Sequence, residues 1–193
     1  MTKWLSHRMV ERGIIKEEEQ ELYQFGICNG MILLLNVVTA LVIGLLTEQL
    51  AVVAVFTLSF MVLRSYTGGY HSDSRVFCYL GSNLVLLVPV YTQAVFYKTS
   101  LAWLLAVLLV SAGIIFLLSP MHSKNRKLDK EEQKHFGRKA RLIAALELAV
   151  LGILWHAGQI PYAYAVYTGI CITALFMLVG KAQLWIQSHT ENG

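Results

Sequence analysis

The chain has 193 residues, 56% of them hydrophobic and 15% charged, with a formal net charge of +4. Soluble domains carry about 25% charged residues, so this chain lacks the charge to coat a surface that faces water. Its basic residues are confined to a few stretches between long apolar runs, which fits membrane topology and argues against nucleic-acid binding.

The first 25 residues do not have the form of a signal peptide. Trp4 and Leu5 are followed by His7, Arg8 and Arg12, then by Glu17, Glu18, Glu19 and Glu21, a pattern expected of an N-terminal amphipathic helix lying on a membrane surface. Six apolar runs follow, at residues 26–46, 50–63, 76–97, 101–118, 142–156 and 160–179. Crossing ~30 Å of hydrocarbon takes ~20 apolar residues in a helix, because lipid offers the backbone no hydrogen bonds. Runs 50–63 and 142–156 are short by that measure. The expected fold is therefore an all-α integral membrane protein of about six transmembrane or membrane-embedded helices, with four full spans and two partly inserted ones as the alternative. Residues 1–193 read as one membrane domain. Of the 16 Lys and Arg, all but Lys98 fall on one side of a six-span layout, so both termini are expected to be cytoplasmic.

The polar information concentrates at residues 64–78, between the second and third runs. Arg64 closes the second run, Gly68 and Gly69 follow, and His71 precedes Cys78 by seven residues. On a straight helix that interval is a rise of ~10.5 Å, too far for a nucleophile and its base to touch. The two glycines free the backbone, and Ser72, Asp73 and Ser74 are good N-caps for a new helix, which would place Cys78 in or just beyond its first turn. There the positive helix end, Arg75 and His71 favour the thiolate, while burial opposes it. Spacing alone leaves two readings level: a catalytic pair, or an inert buried thiol beside an interfacial imidazole.

The segment Arg64-x-x-x-Gly68-Gly69-x-His71, followed by Cys78, resembles the active segment of the accessory gene regulator B family, membrane cysteine endopeptidases of peptide quorum sensing. Chain length, the number of apolar runs, the polar N-terminal helix, and Pro120 followed by Lys124, Arg126 and Lys127 also look like that family. Its staphylococcal members carry consecutive lysines where Arg126 interrupts here. The resemblance implies a thioester acyl-enzyme on Cys78, with His71 as general base and then acid, and release of a cyclic thiolactone signal when a cysteine within the peptide displaces Cys78. It implies residues 64–78 as catalytic segment and 119–141 as basic cytoplasmic loop, with Arg64, Gly69, Lys124, Arg126 and Lys127 supporting the site or binding substrate. The implied setting is the bacterial cytoplasmic membrane, with the site on the cytoplasmic side. The expected partners are a short amphipathic precursor peptide and membrane lipid, a homodimer is left open, and no nucleic acid, cofactor or metal is called for.

Other polar residues have plainer readings. Glu147, inside the fifth run, is expected to snorkel or to pair with Arg141. Asn29, Asn36, Asn83 and Gln93 are expected to hold helices together, with Asn83 also open as an oxyanion donor. Cys28 and Cys171 read as apolar fillers; with Cys78 they make an odd, widely spaced set without a CxxC pair. No HExxH, GxSxG or phosphate-binding glycine loop occurs. The rival class is a small transporter using His71 and Glu147 as proton relays, and a third is a scaffold without catalysis.

Overall fold

The computed structural model describes residues 2–68, 75–121 and 130–190. Among them the chain is mostly helical, with short turns and a 3-10 turn at Glu17–Glu19 between the α-helices: α1 (Thr2–Glu11), α2 (Gln20–Leu46), α3 (Leu50–Thr67), α4 (Arg75–Tyr91), α5 (Gln93–Lys98), α6 (Leu101–Leu118), α7 (Lys130–His156) and α8 (Ile160–Thr190). Two compact units divide it, Met1–Thr39 and Ala40–Gly193. In the first, Arg8 lies over the exposed Trp4 ring with its Cζ 5.2 Å from the centroid, and His7 stands 3.7 Å from Glu11 one turn on.

Four helices contain stretches long and apolar enough to cross a membrane, at Gly26–Leu46, Leu50–Thr67, Leu101–Leu118 and Ile160–Ile186. The chain is thus an all-helical, multi-pass membrane protein. The second run extends through its polar flank to 18 residues, because Arg64, Ser65 and Tyr66 continue the helix to Thr67. The third and fifth runs are not among these four. Residues 76–97 do not form one span: Pro89 supplies no amide to the helical ladder, α4 stops at Tyr91, and the short α5 follows. The apolar part of α4 is Tyr79–Tyr91. Its far end is tied to α8, where Thr92 Oγ1 and the Tyr164 hydroxyl are 2.5 Å apart. The fifth run is the end of a longer helix, since α7 begins at Lys130 and carries twelve polar-rich residues before 142.

In the second unit α8 is the central helix, packed against α3, α6 and α7. Of its span 67% is buried, against 17% for α6, whose outer face carries exposed Trp103, Leu109 and Val110. An apolar exterior is what lipid contact asks for. Close approach of α3 and α8 depends on Gly169, where a β-carbon would stand 2.6 Å from Ser59 Oγ. Small residues at such crossings let helix backbones approach within membranes. Two apolar clusters fill the bundle, one around Phe56, Phe96, Tyr164 and Ala165, the other around Leu63, Ile115, Ile170 and Met177.

Candidate functional site

The carboxyl end of α3 is held by its own last turn. Gly68 takes φ +71°, a left-handed conformation that side chains with a β-carbon resist, and its amide donates to the Arg64 carbonyl at 3.3 Å. The Arg64 guanidinium donates to the Gly68 carbonyl oxygen. The same guanidinium carbon lies 5.5 Å from the Phe176 ring centroid of α8, so Arg64 bridges the turn and the central helix. Thr67 is fully buried.

A second strand of chain joins this turn. The Met121 amide donates to the Thr67 carbonyl at 2.9 Å, and a β-carbon on Gly68 would stand 2.6 Å from the Met121 carbonyl oxygen. Pro120, just before it, packs onto Gly137 of α7. The rest of the α7 start closes the cluster: Tyr66 and Phe136 rings are 6.4 Å apart, Lys139 Nζ is 5.8 Å from the Tyr66 centroid, and Arg141 Nε donates to the Phe116 carbonyl at 3.1 Å. That last bond satisfies one of the orphan carbonyls at the end of α6.

The polypeptide leaves this cluster twice, into residues 69–74 after Gly68 and into 122–129 after Met121. Gly69, His71, Lys124, Arg126 and Lys127 lie outside the described residues. The backbone of Cys78 is placed: α3 ends at Thr67 and α4 begins at Arg75, which makes Cys78 the fourth residue of α4.

Three polar residues stand differently from expectation. Glu147 neither snorkels nor pairs with Arg141; its Oε2 accepts a hydrogen bond from Ser59 Oγ at 2.9 Å, joining α7 to α3. Arg141 is engaged with α6 instead. Asn36 Oδ1 and Asn83 Oδ1 are buried without a partner among the described residues. Neither therefore makes, through that oxygen, the helix-holding bond expected of it. Cys28 is buried and Cys171 half-buried. Tyr66, Phe136 and Met121, which build this cluster at the end of α3, carry no motif. Their roles arise from packing between segments about 50 to 70 positions apart, beyond the reach of any local pattern.

Comparison with known proteins bears on the whole of this arrangement. The family model described as Accessory gene regulator B matches residues 1–178, a stretch that contains both His71 and Cys78. An AgrB-like protein of Clostridium perfringens is 23% identical over 148 residues, covering 74% of this chain and 69% of the relative. A second AgrB-like protein from that species is 24% identical over 131 residues, 65% of this chain and 61% of the relative. Accessory gene regulator protein B of Staphylococcus intermedius is 26% identical over 121 residues, 63% of this chain and 62% of the relative. The matched stretch thus spans about two thirds of the length of each relative. No solved structure matches the chain.

Proposed function

The chain belongs to the accessory gene regulator B family, and from that premise we propose that it is a membrane cysteine endopeptidase in which Cys78 is the nucleophile and His71 the general base. The family is one of peptidases that process quorum-sensing autoinducer peptides. The observation that carries the finer reading is the start of α4 at Arg75, which makes Cys78 the fourth residue of that helix, near the end whose unpaired amides favour a thiolate.

The chemistry runs in two steps. His71 takes the Cys78 proton, and the thiolate adds to a backbone carbonyl of a short precursor peptide. The tetrahedral intermediate collapses as His71 returns the proton to the leaving amine, so the carboxyl-terminal part of the precursor departs and a thioester to Cys78 remains. A cysteine thiol within the retained peptide then adds to that thioester, its proton passing to His71. Cys78 leaves and recovers a proton, and the product is a cyclic thiolactone. The second step exchanges one thioester for another and changes bond energy little, so exclusion of water decides its yield. Backbone amides of the first turn of α4 are candidate donors to the oxyanion. Arg64, already bound to the Gly68 carbonyl, positions the turn that leads into the catalytic segment.

The Gly68–Met121 end of the bundle is assigned to the cytoplasmic side on the distribution of Lys and Arg. Membranes containing the protein and its cognate precursor test the reading. Cys78→Ala and His71→Ala should each abolish cleavage, while Cys28→Ala and Cys171→Ala leave it largely intact. Normal processing by Cys78→Ala would overturn the assignment.

A further inference from the structure

At the other end of the second unit, away from the Gly68–Met121 turn, α5, α6, α7 and α8 enclose a cavity of about 270 Å³. Leu101, Leu105 and Leu108 line it from α6, Gly152 and Trp155 from α7, and Phe96 from α5. The spacing of the leucines puts them on one helical face. Leu101 and Leu105 are about half-exposed and His156 is exposed, so the cavity opens along α6 at the boundary of the span.

Such a space suits hydrocarbon better than water. The volume would admit several water molecules of ~30 Å³ each, but each needs two to four polar partners, and among the lining side chains only Trp155, His156 and Tyr167 carry a polar atom. The opening lies on a candidate membrane span, so the phase outside it is lipid. Gly152 contributes directly to the room available, for a β-carbon there would meet nothing within 4 Å. Lys98, two residues beyond Phe96 on α5, puts a cation at the same end, where the phosphate of a headgroup lies in a bilayer.

We propose that this cavity holds one acyl chain of a phospholipid, taken from the leaflet opposite the Gly68–Met121 end, with its headgroup at the level of Lys98 and His156. The bound chain completes the packing of α6 against α7 and α8 where their own side chains leave it open.

Full-length protein in nanodiscs of phosphatidylcholine with brominated acyl chains tests this, because bromine quenches tryptophan fluorescence on contact. One variant keeps only Trp155 through Trp4→Phe, Trp103→Phe and Trp185→Phe; a second keeps only Trp103, which is exposed on the outer face of α6 and reports bulk lipid. Trp155 should be quenched, and Gly152→Leu, which fills the cavity, should remove most of that quenching while leaving Trp103 quenched as before. A measurement without substitutions accompanies it: wild-type protein released into mild detergent should carry one phospholipid by native mass spectrometry. Quenching of Trp155 that survives Gly152→Leu, or release of the wild-type protein bare, would overturn the proposal. So would displacement of the brominated lipid from Trp155 by added precursor peptide, which would give the cavity to the peptide instead.

Discussion

The carbonyl oxygen of Met121 occupies the space that a side chain on Gly68 would need, 2.6 Å from the position of its β-carbon. With the Met121 amide bonded to Thr67, this contact ties the start of the segment bearing His71 to the start of the stretch bearing Lys124, Arg126 and Lys127. Gly68→Ala meets both that contact and a left-handed φ, which alone costs about 1–2 kcal/mol. The variant should unfold at lower temperature in detergent and cleave precursor more slowly. Wild-type values for both would show that the turn does not set the site.

The crossing of α3 and α8 makes a second expectation. Gly169→Ala drives a methyl group into Ser59 Oγ, and overpacking of this kind costs about 1–3 kcal/mol. Adding Ser59→Ala removes the clashing oxygen together with its hydrogen bond to Glu147, so the double variant should lose less than the sum of the two single losses. A double-mutant cycle on thermal unfolding should therefore return a coupling of compensating sign, whereas simple additivity would place the strain elsewhere.

Glu147 separates the peptidase reading from the transporter reading. As a hydrogen-bond acceptor for Ser59 it is replaceable by glutamine, which still offers an oxygen; as a proton relay it is not. Glu147→Gln should retain precursor cleavage. Glu147→Leu should lose a helix contact worth about 0.6 kcal/mol in membranes. Loss of all function in Glu147→Gln, with the fold intact, would favour proton transport.

Topology gives a further outcome. Lys98 precedes α6 and Lys124 follows it, so one candidate span separates them. Single cysteines placed at these positions, in a chain with Cys28, Cys78 and Cys171 replaced, should react with impermeant thiol reagents from opposite sides, Lys124 from the cytoplasm. Labelling of both from one side would remove α6 as a span.

Much of this molecule was legible in its residues, and for identifiable reasons. Long apolar runs report membrane helices directly, since lipid admits no other use of them in a helical chain. The Gly68-Gly69 pair and the Ser-Asp-Ser cluster mark where one helix ends and the next starts, and α3 and α4 stop and start at Thr67 and Arg75. The break near Thr92 has a signal in Pro89, which the continuous apolar run around it masks. What could not be read were partnerships set by packing. Ser59 lies 88 positions from Glu147, and Met121 reaches Thr67 only because the chain after α6 returns to the end of α3. The basis for the His71–Cys78 pairing is the motif and the family, with helix position in support.

The acyl-enzyme itself offers the most direct measurement of the central claim. A cognate precursor whose internal cysteine is replaced by alanine cannot complete the second step, so the first should leave its amino-terminal part on Cys78. Intact-protein mass spectrometry should show that adduct accumulating, sensitive to hydroxylamine as thioesters are and absent from Cys78→Ala, while the unmodified precursor yields cyclic product and little adduct. Multiple-turnover cleavage of the cysteine-free precursor to a linear acid, with no adduct on Cys78, would contradict the account.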